Sequence, residues 1–179
     1  MNRVENRLKT FIEMLNREND LLDSLVEIGD KKRQLIILGE VKELDKLIQK
    51  EGIVLSNLDK QEGARFKLQQ ELSVAWGMKP EELVATELLK RLSGKHEDLY
   101  KPMQEAIERL DYNLTRLKAI NSHNHDLLEH SLDFIAMMES MITGDSAGVY
   151  SDNGSKIDEA APAVLAICWI ERCNRHALK

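Results

Sequence analysis

EDLYKPMQEAIERLDYNLTRLKAINSHNHDLLEHSLDFIAMMESMIT, residues 97–143, is the stretch that decides the fold. Its seam runs Leu99, Met103, Ile107, Leu110, Leu114, Leu117, Asn121, Asn124, Leu128, Ser131, Ile135, Met138, Ile142, in steps of 3 or 4. That is the spacing of one face of a long helix, with the narrow width of a coiled-coil seam. Pro102 has to lie in the first turn of this helix or kink it. Gly144 marks its end.

Working outward, an N-terminal segment shows the same step pattern at Val4, Leu8, Phe11, Leu15, Leu22 and Leu25, widened by Leu21, Val26 and Ile28. Gly29 weakens it. The pattern predicts a helix over 2–38, roughly 55 Å long at 1.5 Å per residue. Gly39 has the character of a left-handed residue closing that helix. A second helix follows over 40–76, with Val41, Leu44, Ile48, Leu55, Leu58, Leu68 and Leu72 on one face and Leu47 and Phe66 beside it. Gly52 and Gly63 each cost about 1 kcal/mol against Ala without stopping it. A turn as short as Gly39-Glu40 makes these two helices antiparallel. Residues 80–92 read as one short helix, opened by Pro80 and Glu81 and ended by Ser93-Gly94.

The expected fold is therefore all-α, roughly three-quarters helix against the 30–35% of an average domain. It is an elongated antiparallel bundle, or coiled coil, of three long helices and one short connecting helix. The bundle covers 1–143. Residues 144–179 form a flexible tail: Gly144 to Ser155 has loop composition, and 160–173 could hold a short helix. The apolar-then-basic stretch from Ala160 to Lys179 is unlike everything before it, and the sequence leaves open whether it docks, binds a partner, or is foreign to the chain.

Composition agrees. The chain has 179 residues, 31% charged and 42% hydrophobic, with 3 Phe, 3 Tyr, 2 Trp, 9 Gly and 3 Pro. So few aromatics and turn residues disfavour an all-β fold. Lys plus Arg number 25 against 31 Asp plus Glu, a formal net charge of −6. The basic residues are not segregated, so no nucleic-acid partner is expected. Cys168 and Cys173 lack the second pair of a zinc site. Met1 to Thr10 has no apolar core of a signal peptide, and the longest apolar run, Ala160 to Ile170, falls short of the ~20 residues that span a bilayer. A cytoplasmic protein with no membrane insertion is expected.

Chemistry is hard to find. The phosphate-loop, dinucleotide, nucleophile-elbow and metalloprotease motifs are missing. His123, His125, Asp126 and His130 share a helix, but Asp126 and His130 alone make a poor metal site, and solvated histidines are the simpler reading. Glu81-Glu82 and Asp133 with Glu139 fit a charged face better than acid–base catalysis. No enzyme, no catalytic residue, no metal and no cofactor is expected. Two features stand out. Asn121, Asn124 and Ser131 interrupt an apolar seam; they either set helix register, the default on physical grounds, or mark where core gives way to a partner-binding groove. Met137, Met138 and Met141 suit irregular core gaps and adaptable binding surfaces alike.

These residues resemble the FlgN family of flagellar type III export chaperones. The resemblance rests on Glu18-Asn19-Asp20-Leu21-Leu22 through Lys32, then Leu35, Gly39, Leu44, Leu47, Glu51, Leu55, Leu58, Glu62 and Arg65. More specifically, it rests on Asn121-Ser122-His123-Asn124-His125-Asp126-Leu127-Leu128-Glu129-His130-Ser131-Leu132-Asp133-Phe134-Ile135, similar to an N-x-x-N-x-x-L-L-x-x-S-L-x-F signature. Gly148-Val149-Tyr150 and Gly154 add a looser match. It covers about 1–158; nothing is carried onto 160–179. The resemblance implies a cytoplasmic chaperone that holds the C-terminal amphipathic helices of hook–filament junction proteins, prevents their premature assembly, and delivers them to the export gate without a cofactor. The substrate surface is expected at Leu128, Leu132, Ile135, Met138, Met141 and Ile142, where the last helix outruns its scaffold. The resemblance further implies that Tyr150 contacts the cytoplasmic domain of the gate protein FlhA; the alternative is that it folds back on the bundle end. The rival to the chaperone reading is a structural coiled-coil or self-associating spacer protein.

Overall fold

The computed structural model describes residues 3–143. Four α-helices follow one another: α1 Arg3–Leu38, α2 Val41–Ala75, α3 Ala85–Leu92 and α4 Glu97–Thr143. Among the described residues there is no strand. The expected tail, its short helix and Tyr150 lie outside the described residues.

α1 ends as its composition demands. Gly39 adopts φ +69°, and the N–H groups of Gly39 and Glu40 donate to the carbonyls of Ile36 (3.1 Å) and Leu35 (3.0 Å). These are the two bonds of a Schellman closure, which needs a left-handed residue at the position just past the helix end, here Gly39. The turn sends α2 back along α1.

Two buried ion pairs set the register of that hairpin. Arg65 Nε donates to both carboxylate oxygens of Glu18 at 2.9 Å, and Lys32 Nζ donates to Glu51 at 2.8 and 3.1 Å. The two α1 members are fourteen residues apart, as are the two α2 members, so each set shares a helix face. Acid precedes base on both helices. Only an antiparallel pairing brings each acid to a base; a parallel one would set Glu18 against Glu51 and Lys32 against Arg65. Burial pushes the Glu18 carboxyl above its usual range, with Arg65 opposing. Such a desolvated pair selects an arrangement more than it stabilises one.

α4 lies on α1 and runs parallel to it. Asn19 Nδ2 donates to the Ala106 carbonyl at 2.9 Å, and Asn124 Nδ2 donates to the Gly29 carbonyl at 2.8 Å. At the surface, Arg109 pairs with Asp20 and Asp23. Consecutive long helices thus alternate in direction, with α1 central. The core joins Leu8, Leu15, Leu22, Leu25 and Val26 of α1 to Met103, Leu110, Leu114 and Leu117 of α4 and to Leu58 and Leu72 of α2.

Three expectations need correction. Residues 80–92 are not one helix: a 3₁₀ turn, Pro80–Glu82, is separated from α3 by Leu83 and Val84 in non-helical conformations. Leu83 is buried in the core and its carbonyl accepts from Gln69 Nε2 of α2 at 2.9 Å. That anchoring outweighs local helix propensity. Pro102 lies in the second turn of α4, where it removes one main-chain hydrogen bond, and α4 continues through it. The α2 seam is only partly core: Leu58 and Leu72 are buried, whereas Val41 is exposed.

Candidate partner-binding surface

The contact between Asn124 and Gly29 fixes how far α4 extends beyond its support. After Gly29, α1 has nine residues left; after Asn124, α4 has nineteen. The two run parallel, so roughly the last ten residues of α4, about 15 Å, pass the end of α1. α2 starts at the same turn and adds no cover beyond it.

Side-chain exposure follows this register. Asn124 is 3% exposed and Leu128 half-buried, while Leu132, Ile135, Met138, Met141 and Ile142 are exposed, Leu132 at 65% and Ile142 at 80%. Phe134 and Met137, which the expected set omitted, are exposed as well. At 100° per residue these positions span an arc of about 220°, twice the ~100° stripe of an ordinary amphipathic helix. The helix end is apolar on most of its circumference, so no single neighbouring helix would cover it. Phe134 was legible in the sequence, but a single seam with period 3.5 does not capture a face this wide. Ile37, Leu38 and Val41, exposed at the hairpin turn, extend the apolar surface at the same end of the molecule.

The polar seam residues divide. Asn124 does set register, through its bond to Gly29; its Oδ1 and the Nδ2 of Asn121 are buried without a partner among the described residues. Ser131 is exposed and its hydroxyl donates to the Leu127 carbonyl at 2.7 Å, within its own helix. His123, His125 and His130 are exposed. Among the described residues no three His, Cys, Asp or Glu side chains come together as a metal site would need, and no helix is long and apolar enough to cross a membrane. Tyr150 lies outside the described residues.

Residues 1–156 match the family model described as FlgN protein. The chain belongs to the FlgN family of flagellar export chaperones. Membership supports a general role in flagellar export. A relative, the uncharacterized protein YvyG of Bacillus subtilis (strain 168), is 26% identical over 134 residues, 75% of this chain and 79% of the relative. No solved structure matches significantly.

Within this frame the family-like landmarks have physical meaning. Glu18, Lys32, Glu51 and Arg65 are the buried pairs of the hairpin, and Asn19 and Asn124 are the side chains that tie α4 to α1. They hold the scaffold from which the apolar end of α4 projects.

Proposed function

We propose that this protein captures the C-terminal amphipathic helix of a hook–filament junction protein on the distal end of α4, in the cytoplasm, and delivers it to the type III export gate. Leu128, Leu132, Ile135, Met138, Met141 and Ile142 form the contact, with Phe134 and Met137 beside them. The observation that carries the reading is the apolar arc on a helix end that has no neighbour among the described residues. Large exposed apolar patches mark interaction sites, and an amphipathic partner helix is the form of ligand such a surface takes. Thioethers at Met137, Met138 and Met141 adapt to partners of differing shape. Capture of the substrate's apolar face would itself prevent premature assembly, since that face is no longer free.

The test is Ile135→Asp with Met138→Asp. Both side chains are exposed, so the variant should keep its helix content and thermal stability while losing the C-terminal fragment of the junction protein in calorimetry. Binding that persists in the folded variant would move the site elsewhere; unfolding would make these residues core. Gate delivery is tested by Tyr150→Ala, which should lose the cytoplasmic domain of FlhA and keep the substrate. Unchanged gate affinity would remove that role.

The second reading, self-association, is favoured by the same apolar end, which a second copy could cover. Sedimentation of the free protein across concentration separates the two, because a chaperone remains available and a spacer does not.

A further inference from the structure

We infer a second docking groove, between α1 and α2 near their turn, that takes an acidic amphipathic helix of a partner protein. The groove encloses about 530 Å³ and is lined by Lys31, Leu35, Lys46, Leu47, Lys50 and Ile53, with Glu43 at its edge. Its floor is apolar: Leu35 and Leu47 are half-buried, and Ile53 is 65% exposed, pointing its hydrocarbon at water. Its rim is basic. Three lysines face one glutamate, in a chain whose formal net charge is −6. Lys46 is engaged by Glu43 at 2.6 Å. Lys31 and Lys50 have no carboxylate partner among the described residues, so two cations stand free on opposite helices beside an apolar trough.

That combination specifies the occupant. An apolar floor wants the hydrophobic stripe of a helix, and flanking free ammonium groups want carboxylates on either side of that stripe. From residue 43 to residue 53 the α2 wall runs about 15 Å, room for a partner helix of about three turns. Two free lysines over a hydrocarbon floor are too few for a phosphate backbone, whose affinity grows with each phosphate neutralised. The chain's own apolar stretch after Ala160 is a poor occupant, since Pro162 interrupts it and its flanks are of mixed charge, Asp158, Glu159 and Glu171 against Arg172, Arg175 and Lys179. The distal end of α4 has the opposite character: Asp126, Glu129, Asp133 and Glu139 lie among its apolar residues. The same end of the molecule therefore offers two apolar surfaces of contrary charge, and the groove selects the partner that the α4 surface repels. The inference goes beyond the proposed chaperone site and does not need it.

The probe is a fluorescein-labelled, helix-forming fourteen-residue peptide with leucines at i, i+3, i+4 and i+7 flanked by glutamates, compared with its lysine-flanked counterpart. Binding to the full chain is read by anisotropy. The acidic peptide should bind at least tenfold more tightly than the basic one, and raising NaCl from 50 to 300 mM should weaken it severalfold, in line with ordinary screening. K31E together with K50E should reverse the preference between the two peptides, and I53D should abolish binding of both. The Ile135→Asp, Met138→Asp variant should leave the acidic peptide's affinity unchanged, which keeps this site distinct from the proposed substrate surface. Equal affinity for the two peptides, salt-insensitive binding by the unaltered chain, or loss of binding in the α4 variant would each overturn the inference. So would a dimer in sedimentation that K31E with K50E dissolves, because the occupant would then be a second copy.

Discussion

Asn124 donates from Nδ2 to the backbone carbonyl of Gly29 at 2.8 Å, across a contact so close that a Cβ on Gly29 would lie 2.5 Å from Cγ2 of Ile120. α4 therefore lies against bare backbone of α1 at this point. The glycine gives the closeness, the asparagine fixes the register, and the register decides which part of α4 passes the end of α1.

Gly29→Ala should destabilise the protein by about 1–3 kcal/mol, because the methyl group meets a rigid β-branched side chain in a packed interface. Ile120→Ala on the same background should recover part of that loss, giving a positive coupling in a double-mutant cycle measured by urea unfolding. Additive losses would mean that the two residues do not touch.

Gly52 and Gly63 should behave in the opposite way. Beyond the adjoining turns of its own helix, no described atom lies within 4 Å of a Cβ at either position, and both sit inside α2. Alanine at each should stabilise by about 0.5–1 kcal/mol through helix propensity alone, seen as a higher urea midpoint with an unchanged slope. A loss of stability at either would show that α2 needs a break there.

The buried pairs predict an asymmetry. Glu18→Gln strands a buried guanidinium and should cost about 3–5 kcal/mol, whereas Glu18→Met with Arg65→Met should be close to neutral or stabilising. Removing all four charges, including Lys32 and Glu51, should leave a helical protein whose α1–α2 register is less strictly defined, read as broadened amide resonances in the hairpin. Sharp, unshifted resonances would show that apolar contacts alone hold the register.

Much of this was legible from the residues. The seams of α1 and α4 end where their glycines place them, and the two-residue turn at Gly39 requires an antiparallel hairpin. What stayed hidden depends on contacts distant in the chain. Gly29 reads as a weak point in a helix until Ile120, ninety-one positions later, is seen to occupy its missing side chain. Glu18, Lys32, Glu51 and Arg65 read as landmarks, although their matched spacing on either side of the turn already encodes the pairing. The break at Leu83 and Val84 was invisible because a hydrogen bond from Gln69 produces it. Val41 carries the seam's period but lies at the turn, where no described residue covers it. At the candidate surface, the excess length of α4 was legible by counting, but its full apolar width was not, because a seam follows one face only.

Amide hydrogen exchange, with and without the C-terminal fragment of a hook–filament junction protein, tests the central claim most directly. In the free protein, residues 128–142 should exchange faster than residues 103–124 of the same helix, because 103–124 pack along α1 whereas about the last ten residues of α4 pass its end. On adding the fragment, protection should rise chiefly over 128–142, with little change along the α1–α2 hairpin. Protection confined to another region, or binding that leaves 128–142 as exposed as before, would contradict the assignment of the distal end of α4 as the substrate surface.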